Sequence, residues 1–209
     1  EILYEALNAS ARLNPQDQGY IDLIVKSVAH KTGYREDEIK EMLLSAFDVF
    51  AVLDHTKTVA HMLADGIVPS NSGEGYLARL VIRRAIRKMK KLGADAPLSE
   101  LVSLQLDYWS DLYPKFKANK HEVLDMVEHE EGKYREVLGK VPQIAQRYAQ
   151  RDVGLNDLIE LYDSQGIPPE ILAEELEKRF GKRIAVPANF YSIVASRHSR
   201  PPTLKGAAK

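Results

Sequence analysis

The chain has 209 residues, 44% of them hydrophobic, so it is long enough to bury a core and form one domain or two small ones. It contains no cysteine, which excludes disulfide bonds, thiolate zinc sites and a cysteine nucleophile, and makes a cytoplasmic location the expectation. The formal net charge is only −1. Nowhere do 18 apolar residues follow one another, so we expect no membrane-spanning helix.

Helical periodicity dominates the first quarter of the chain. Apolar residues recur every three or four positions over residues 21–28 and again over 39–47, whereas the alternating pattern of a strand is scarce throughout. Asp54 precedes a third apolar segment that ends near Gly66, which is typical of an N-cap residue and a C-terminal glycine. We therefore predict three helices here and an all-α fold for the whole chain.

A loop and a basic helix come next. Residues 65–75, with the sequence DGIVPSNSGEG, are rich in glycine, proline and small polar residues and predict a loop. The helix predicted after this loop has seven basic residues and no acidic one between Arg79 and Lys91, whereas the rest of the chain has 22 basic against 30 acidic residues. We expect only this surface to attract polyanions.

Most of these basic residues fall on one face of the predicted helix. At 100° per residue, the set that shares a face within about 80° comprises Tyr76, Arg79, Arg83, Arg87 and Lys90. Guanidinium groups one turn apart can follow a phosphate backbone through bidentate hydrogen bonds, and a tyrosine adds a stacking or hydroxyl contact. This basic stripe predicts nucleic-acid binding. The alternative is a solvated basic face, or one paired with the acidic segment Glu128–Glu131.

The second half of the chain is also helical in pattern. A helix is predicted over residues 98–112, and a heptad-like rhythm over 119–151 predicts a long helical hairpin arm with Gly132 at its centre and a kink at Pro142. Two short helices follow, one over residues 156–164 and one from Pro169 to Phe180.

These elements suggest three parts. We predict a helical body with the basic helix over residues 1–152, a small helical subdomain over 153–184, and a proline-rich, basic linker or tail over 185–209. Because the chain begins at Glu1 without an initiator methionine, we expect it to be a piece of a longer polypeptide.

Two long motifs carry a resemblance to a known family. The first combines D-H-T at residues 54–56 with DGIVPSNSGEGYLARLVIRRAIRKMKKLG at 65–93, and the second is LYDSQGIP at 161–168. Both resemble, in order and spacing, the middle region of alanyl-tRNA synthetases of archaeal type, which lies between the catalytic and editing domains. Residues 189–198 are similar to the passage into the editing domain, so the resemblance covers residues 1 to 200.

The resemblance implies a role in reading transfer RNA. It assigns Asn71 and Asp163 to discrimination of the G·U wobble pair in the acceptor stem of alanine tRNA. A wobble pair exposes a guanine amino donor and displaced carbonyls, which a carboxylate and an amide can complement, although the sequence does not decide which residue contacts which base. The residues expected to bind the RNA backbone are Tyr76, Arg79, Arg83, Arg84, Arg87, Lys90 and Lys91.

The resemblance also implies partners and cofactors. The expected partners are the acceptor stem and the catalytic and editing domains of the same polypeptide, a class II ligase. We expect no catalytic residue, metal or cofactor in this segment, since there is no phosphate-binding loop and the six histidines form no ligand pair. ATP with magnesium, and zinc, are expected only in other domains of the parent enzyme.

Other interpretations fit the residues taken alone. The chain could be a helical nucleic-acid binder without base specificity, or a protein-interaction scaffold that uses the arm from Val123 to Tyr148. Asn71, which follows Pro-Ser, is also typical of a turn or an N-cap. Asp163 is also typical of a residue that caps the turn before Gly166.

Overall fold

A computed structural model describes residues 1–11, 19–71 and 73–198, and within these ranges all regular structure is α-helical. The prediction of an all-α fold is confirmed. The helices are α1 (Ile2–Ser10), α2 (Tyr20–Thr32), α3 (Glu36–Ala64), α4 (Gly73–Lys91), α5 (Leu98–Trp109), α6 (Pro114–Ala118), α7 (Lys120–Tyr148), α8 (Leu155–Gln165), α9 (Pro169–Phe180) and α10 (Phe190–His198). None of them combines the length and apolar composition that a membrane crossing requires.

The described residues form two compact units. The first unit comprises the described residues within Glu1–His55 and Ala85–Ala96, and the second comprises the described residues within Thr56–Arg84 and Pro97–Lys209. The boundaries predicted after residues 152 and 184 both fall within the second unit and remain a prediction. Residues 199–209 of the predicted tail lie outside the described residues.

The core of the first unit is built from α1, α2 and the start of α3. Its buried residues are Ile2, Ala6, Ala9, Ile24, Val25, Val28, Ile39 and Leu43. Each helix supplies residues spaced three or four apart, which places them on one face. Burying one Ile, Val or Leu side chain contributes about 1.5–3 kcal/mol, so burial of this cluster favours the packing of the three helices.

The third helix is longer than predicted. Asp54 does not begin a helix, because α3 runs without interruption from Glu36 to Ala64. Val52 and Val59 are buried on either side of Asp54, so the helical burial pattern continues through this position. No glycine or proline lies between residues 36 and 64 to interrupt the backbone hydrogen bonds, and an aspartate inside a helix costs only about 0.7 kcal/mol.

The predicted hairpin arm over 119–151 is instead one continuous helix. Helix α7 extends from Lys120 to Tyr148 with Gly132 and Pro142 inside it. A glycine in a helix costs only about 1 kcal/mol. The buried face of α7 continues across Gly132, with Glu130 before it and Tyr134 after it, and burial there outweighs this cost.

Aromatic side chains of α5 and α6 pack together in the second unit. Phe116 is buried, and the ring of Trp109, the one tryptophan of the chain, lies 6.5 Å from that of Tyr113. The indole Nε1 of Trp109 donates to Gln105 Oε1 at 3.1 Å, and Lys57 Nζ lies 4.4 Å from the centre of the ring. The indole is therefore fixed within the second unit by a hydrogen bond and a cation–π contact.

The two short helices predicted after residue 155 are confirmed. Helices α8 and α9 end at Gly166 and Gly181, which have φ angles of 68° and 62°. This left-handed conformation favours glycine and closes a helix C-terminus. Pro169 occupies the first turn of α9, where its missing N–H has no helical partner in any case.

Part of the predicted linker forms a tenth helix. Phe190 and Val194 of α10 are buried in the main hydrophobic cluster of the second unit. The ring of Phe190 lies 5.7 Å from that of Tyr162 in an edge-to-face arrangement. The proline-rich composition around these residues led to the prediction of a linker. The short helix is stabilised by tertiary packing rather than by the helix propensity of its own residues.

Candidate nucleic-acid interface

The two residues assigned to base recognition line the same cavity of the second unit. This cavity has a volume of about 170 Å³ and is formed by the end of the loop before α4, the first half of α4 and the end of α8. Its lining residues are Asn71, Tyr76, Arg79, Arg83, Tyr162, Asp163, Ser164, Gln165 and Gly166. Asn71 and Asp163, far apart in the sequence, are both exposed at it.

A glycine fixes the loop that carries Asn71. The amide of Ser70 donates to the carbonyl of Gly75 at 3.0 Å. A Cβ atom at Gly75 would overlap the carbonyl oxygen of Val68 and the Ser70 hydroxyl, so only glycine allows this close approach. The side-chain oxygen of Asn71 accepts a hydrogen bond from Arg79 NH1, which orients the amide at the cavity.

Asp163 lies in the last turn of α8, as its position before Gly166 predicts. The amide of Gly166 donates to the carbonyl of Tyr162 at 2.9 Å, and the Ser164 hydroxyl donates to the carbonyl of Glu160 at 2.6 Å. These bonds close the helix end and present Asp163 to the solvent-exposed side of the cavity. The helix dipole disfavours an acid here by about 0.3–1 kcal/mol, so helix stability does not explain this aspartate.

Two tyrosines form the inner wall of the cavity. Tyr76 and Tyr162 are buried, with their ring centres 6.1 Å apart in an edge-to-face arrangement. Burial raises the pKa of Tyr162 far above its ordinary value, and the hydrogen bond to Tyr76 raises it further. Burial also raises the pKa of Tyr76. Both hydroxyls are therefore neutral, and Tyr76 does not lie on an exposed face as the helical projection predicts.

Arg83 is also buried, which overturns the expectation of an open basic stripe at this position. Its residue surface is 8% exposed, and its Nε donates to Glu130 Oε1 of α7 at 2.9 Å. Its NH1 donates to the carbonyl of Gly166 at 2.8 Å. The reason is that α4 turns this face toward α7. The periodicity of α4 alone does not show which element covers the face. Pairing with the acidic segment 128–131 was the alternative left open, and it holds for this residue.

Arg79 shares the same carboxylate. Its Nε lies 3.0 Å from Glu130 Oε1, close enough for an ion pair although the N–H does not point at the oxygen. Arg79 therefore joins Glu130 to Asn71. Arg84, the next predicted RNA-binding residue, lies with its guanidinium 4.8 Å from the ring centre of Tyr191.

The remaining predicted RNA-binding residues belong to the first unit. Lys91 Nζ lies 2.7 Å from Asp48 Oδ2, and Lys88 pairs with Asp48 Oδ1. Burial alone would raise the pKa of the Asp48 carboxyl, but its pairing with Lys88 and Lys91 outweighs this effect and holds the pKa below the ordinary value. Lys90 is exposed and Arg87 is half-buried.

Several cavity residues were not among the predicted site residues. Tyr162, Ser164, Gln165 and Gly166 all lie within the second motif, so that motif was the signal that could have identified them. Glu130 does not line the cavity, and the sequence offered it only as one acidic residue of segment 128–131 that could pair with the basic helix. Within the described ranges, no group of three or more histidine and acidic side chains could hold a metal ion.

Sequence comparison identifies the class of protein to which this site belongs. Residues 11–208 match the model of the family described as tRNA synthetases class II (A). The match extends over nearly the whole chain, so the chain belongs to this family, and the predicted resemblance is confirmed.

Individual relatives are alanine–tRNA ligases. The ligase of Ignicoccus hospitalis is 51% identical over 202 residues, which are 96% of this chain and 22% of the relative. Those of Aeropyrum pernix and Metallosphaera sedula are 44% and 43% identical, with 98% of this chain and 23% of each relative covered. The chain thus spans less than a quarter of the length of these relatives.

Proposed function

We propose that this chain binds the acceptor stem of alanine tRNA and that the cavity between Asn71 and Asp163 reads the G·U wobble pair. In this proposal the chain is the recognition segment of a cytoplasmic class II alanine–tRNA ligase. The attachment of alanine with ATP and magnesium, and the zinc-dependent editing step, are assigned to other domains of the parent enzyme.

One observation carries the proposal. Asn71 and Asp163 line one cavity in a chain that is 43–51% identical to alanine–tRNA ligases. A fold that only needed these residues for a turn and a helix end would have no reason to place them at the same opening. Their convergence is what a site for the two bases of one pair requires.

The chemistry of the two side chains suits a wobble pair. The Asp163 carboxylate is an acceptor for an exocyclic amine such as the guanine 2-amino group, and the Asn71 amide offers both a donor and an acceptor. A-form RNA presents these base edges in its wide, shallow minor groove, where an exposed loop and an exposed helix end can reach them. Ser164 and Gln165 add further polar groups to the cavity wall.

Contacts with the RNA backbone are assigned by exposure. Lys90 and Lys91 are exposed and are the first candidates for phosphate binding, followed by the half-buried Arg79, Arg84 and Arg87. Such contacts position an RNA without reading its sequence. Arg83 and Tyr76 are buried, and in our proposal they support the cavity.

The proposal is tested by binding to acceptor-stem minihelices that carry either G·U or G·C at the same position. We expect the chain to prefer the G·U stem, and Asp163→Asn or Asn71→Ala to weaken that preference by about 1–3 kcal/mol without weakening binding to the G·C stem. Glu160→Gln is the control, since it removes the same charge from an exposed position of the same helix that does not line the cavity.

Each alternative gives a different result. Strong, salt-dependent binding without preference for either stem would favour a general nucleic-acid binder. No RNA binding at low salt would favour a protein-interaction scaffold. A preference that survives in both the Asn71 and the Asp163 variants would exclude these residues as the readers of the base pair.

A further inference from the structure

Glu130 does not line the cavity, but it contacts two arginines that do. It lies on α7 with its side chain 2% exposed. Its Oε1 accepts from Arg83 Nε at 2.9 Å, lies 2.8 Å from Arg83 NH2, and lies 3.0 Å from Arg79 Nε. One buried carboxylate thus compensates two guanidinium groups. Because a buried charge without a partner is costly, the positions of these three side chains depend on one another.

Each arginine extends this connection to one of the base-reading elements. Arg79 NH1 donates to Asn71 Oδ1, and Arg83 NH1 donates to the carbonyl of Gly166, three residues after Asp163 in the same turn. An arginine has five donors in a rigid planar fork, so the Nε hydrogen bond of Arg83 to Glu130 also fixes the direction of its NH1, whereas Arg79 is held at the same carboxylate by an ion pair. The distance between the two arginine forks is set where they meet, at Glu130.

We propose that Glu130 is a positioning residue that sets the separation of Asn71 and Asp163 and thereby the preference of the cavity for the G·U pair. The inference rests on the proposed function and deepens it, since it names a residue on a third helix that determines specificity without touching RNA. Replacing the carboxylate by an amide keeps the shape and one acceptor oxygen but removes the charge. Charge-assisted hydrogen bonds are about twice as strong as neutral ones, so the Arg83 fork is held less firmly, and Arg79 loses its ion pair with the carboxylate.

A purely structural role for Glu130 predicts a different outcome. Loss of folding lowers the amount of active protein and reduces the apparent binding of both stems by the same factor. The ratio of the two dissociation constants is unaffected, because an unfolded molecule binds neither stem. A change in this ratio therefore reports on positioning and not on stability.

The experiment compares Glu130→Gln with the unchanged chain and with Glu128→Gln. Glu128 is exposed on the same helix, so the control removes the same charge outside the cavity. Dissociation constants are measured by fluorescence anisotropy for the G·U and G·C minihelices. For Glu130→Gln we expect the G·U preference to fall about tenfold, mostly through weaker G·U binding, with little change in the control.

The outcomes separate the inference from the function on which it rests. If the unchanged chain shows no G·U preference, the proposed function fails. If it does, and Glu130→Gln keeps the full ratio, the inference is overturned while the proposed function stands. Arg79→Lys provides a second variant should Glu130→Gln not fold. A lysine cannot bridge Glu130 and Asn71 with a planar fork, so the ratio should again fall, and an unchanged ratio would refute the inference.

Discussion

Helix α4 contributes two pairs of basic residues, and each pair contacts a different buried carboxylate. The two resulting clusters differ in the hydrogen bonds that their cations can make. In the Glu130 cluster, within the second unit, Arg79 and Arg83 meet Glu130. In the Asp48 cluster, within the first unit, Lys88 and Lys91 meet Asp48. In both cases two cations one helical turn apart share one acid. The arginines make further directed contacts to Asn71 and Gly166, whereas an ammonium group acts as a point charge.

The same charge balance thus serves two purposes in the two clusters. Lys91 is 66% exposed and its charge is largely hydrated, so the Asp48 cluster attaches the end of α4 to α3. The Arg83 side chain is 9% exposed, and its donors are directed to named acceptors. The Glu130 cluster therefore fixes geometry as well as charge, and it is the cluster that lies at the cavity.

The largest expected difference between the clusters is in stability. We expect Glu130→Ala to lower the free energy of unfolding by about 3–5 kcal/mol, because two guanidinium groups lose their buried partner. Asp48→Ala should cost only roughly 1–2 kcal/mol, because Lys88 and Lys91 can turn into water. Urea denaturation followed by far-ultraviolet circular dichroism measures both values. Equal losses would show that the two clusters are energetically alike.

A glycine pair tests whether the Glu130 cluster depends on the turn after Asp163. Both Gly166→Ala and Gly181→Ala place a side chain at a positive φ, which costs about 1–2 kcal/mol. At Gly166 the new Cβ would also lie 2.7 Å from Arg83 NH1, whereas nothing lies within 4 Å at Gly181. We therefore expect Gly166→Ala to be the more destabilising, by about 1 kcal/mol or more in thermal or urea unfolding. If the two variants unfold alike, the contact with Arg83 carries little energy.

The smallest expected effect is a pH dependence of the Asp48 cluster. Pairing with Lys88 and Lys91 outweighs burial and holds the pKa of Asp48 below its ordinary value of 3.8. A carboxyl whose pKa is lowered by folding stabilises the folded state above its unfolded pKa, and this contribution is lost as the pH falls through the lowered value. The stability difference between the unchanged chain and Asp48→Asn should thus be full at pH 7 and shrink below about pH 4. A difference that grows on acidification would contradict the pairing.

The parts of the fold that could be predicted are those with local signals. Gly166 and Gly181 ended α8 and α9 where predicted, because a left-handed C-cap is a local requirement. The predictions at Asp54 and Gly132 were wrong. Each is a residue type that is common at helix ends, but a long helix accommodates it here because the neighbouring residues are buried. Helix α10 was missed because its stability comes from the packing of Phe190, a tertiary contact.

The candidate site was predictable to the same extent. The residues of two motifs indicated Asn71 and Asp163 as candidates. That both line one cavity is seen only in the structure. The helical projection placed Arg83 and Tyr76 on an open face, because periodicity identifies the residues that share a face but not the element that covers it. Their burial depends on Glu130 and on Tyr162, which come from distant parts of the chain.

The fixed position of Trp109 gives the second unit an optical probe of its own. As the one tryptophan of the chain, it emits from within the second unit, held by Gln105 and Lys57. We therefore expect its fluorescence to report on the unit that contains the cavity, whereas the helical circular dichroism reports on the helices of both units. Coincident transitions by the two probes would mean that both units unfold in one cooperative step, and separated transitions would give each unit its own midpoint.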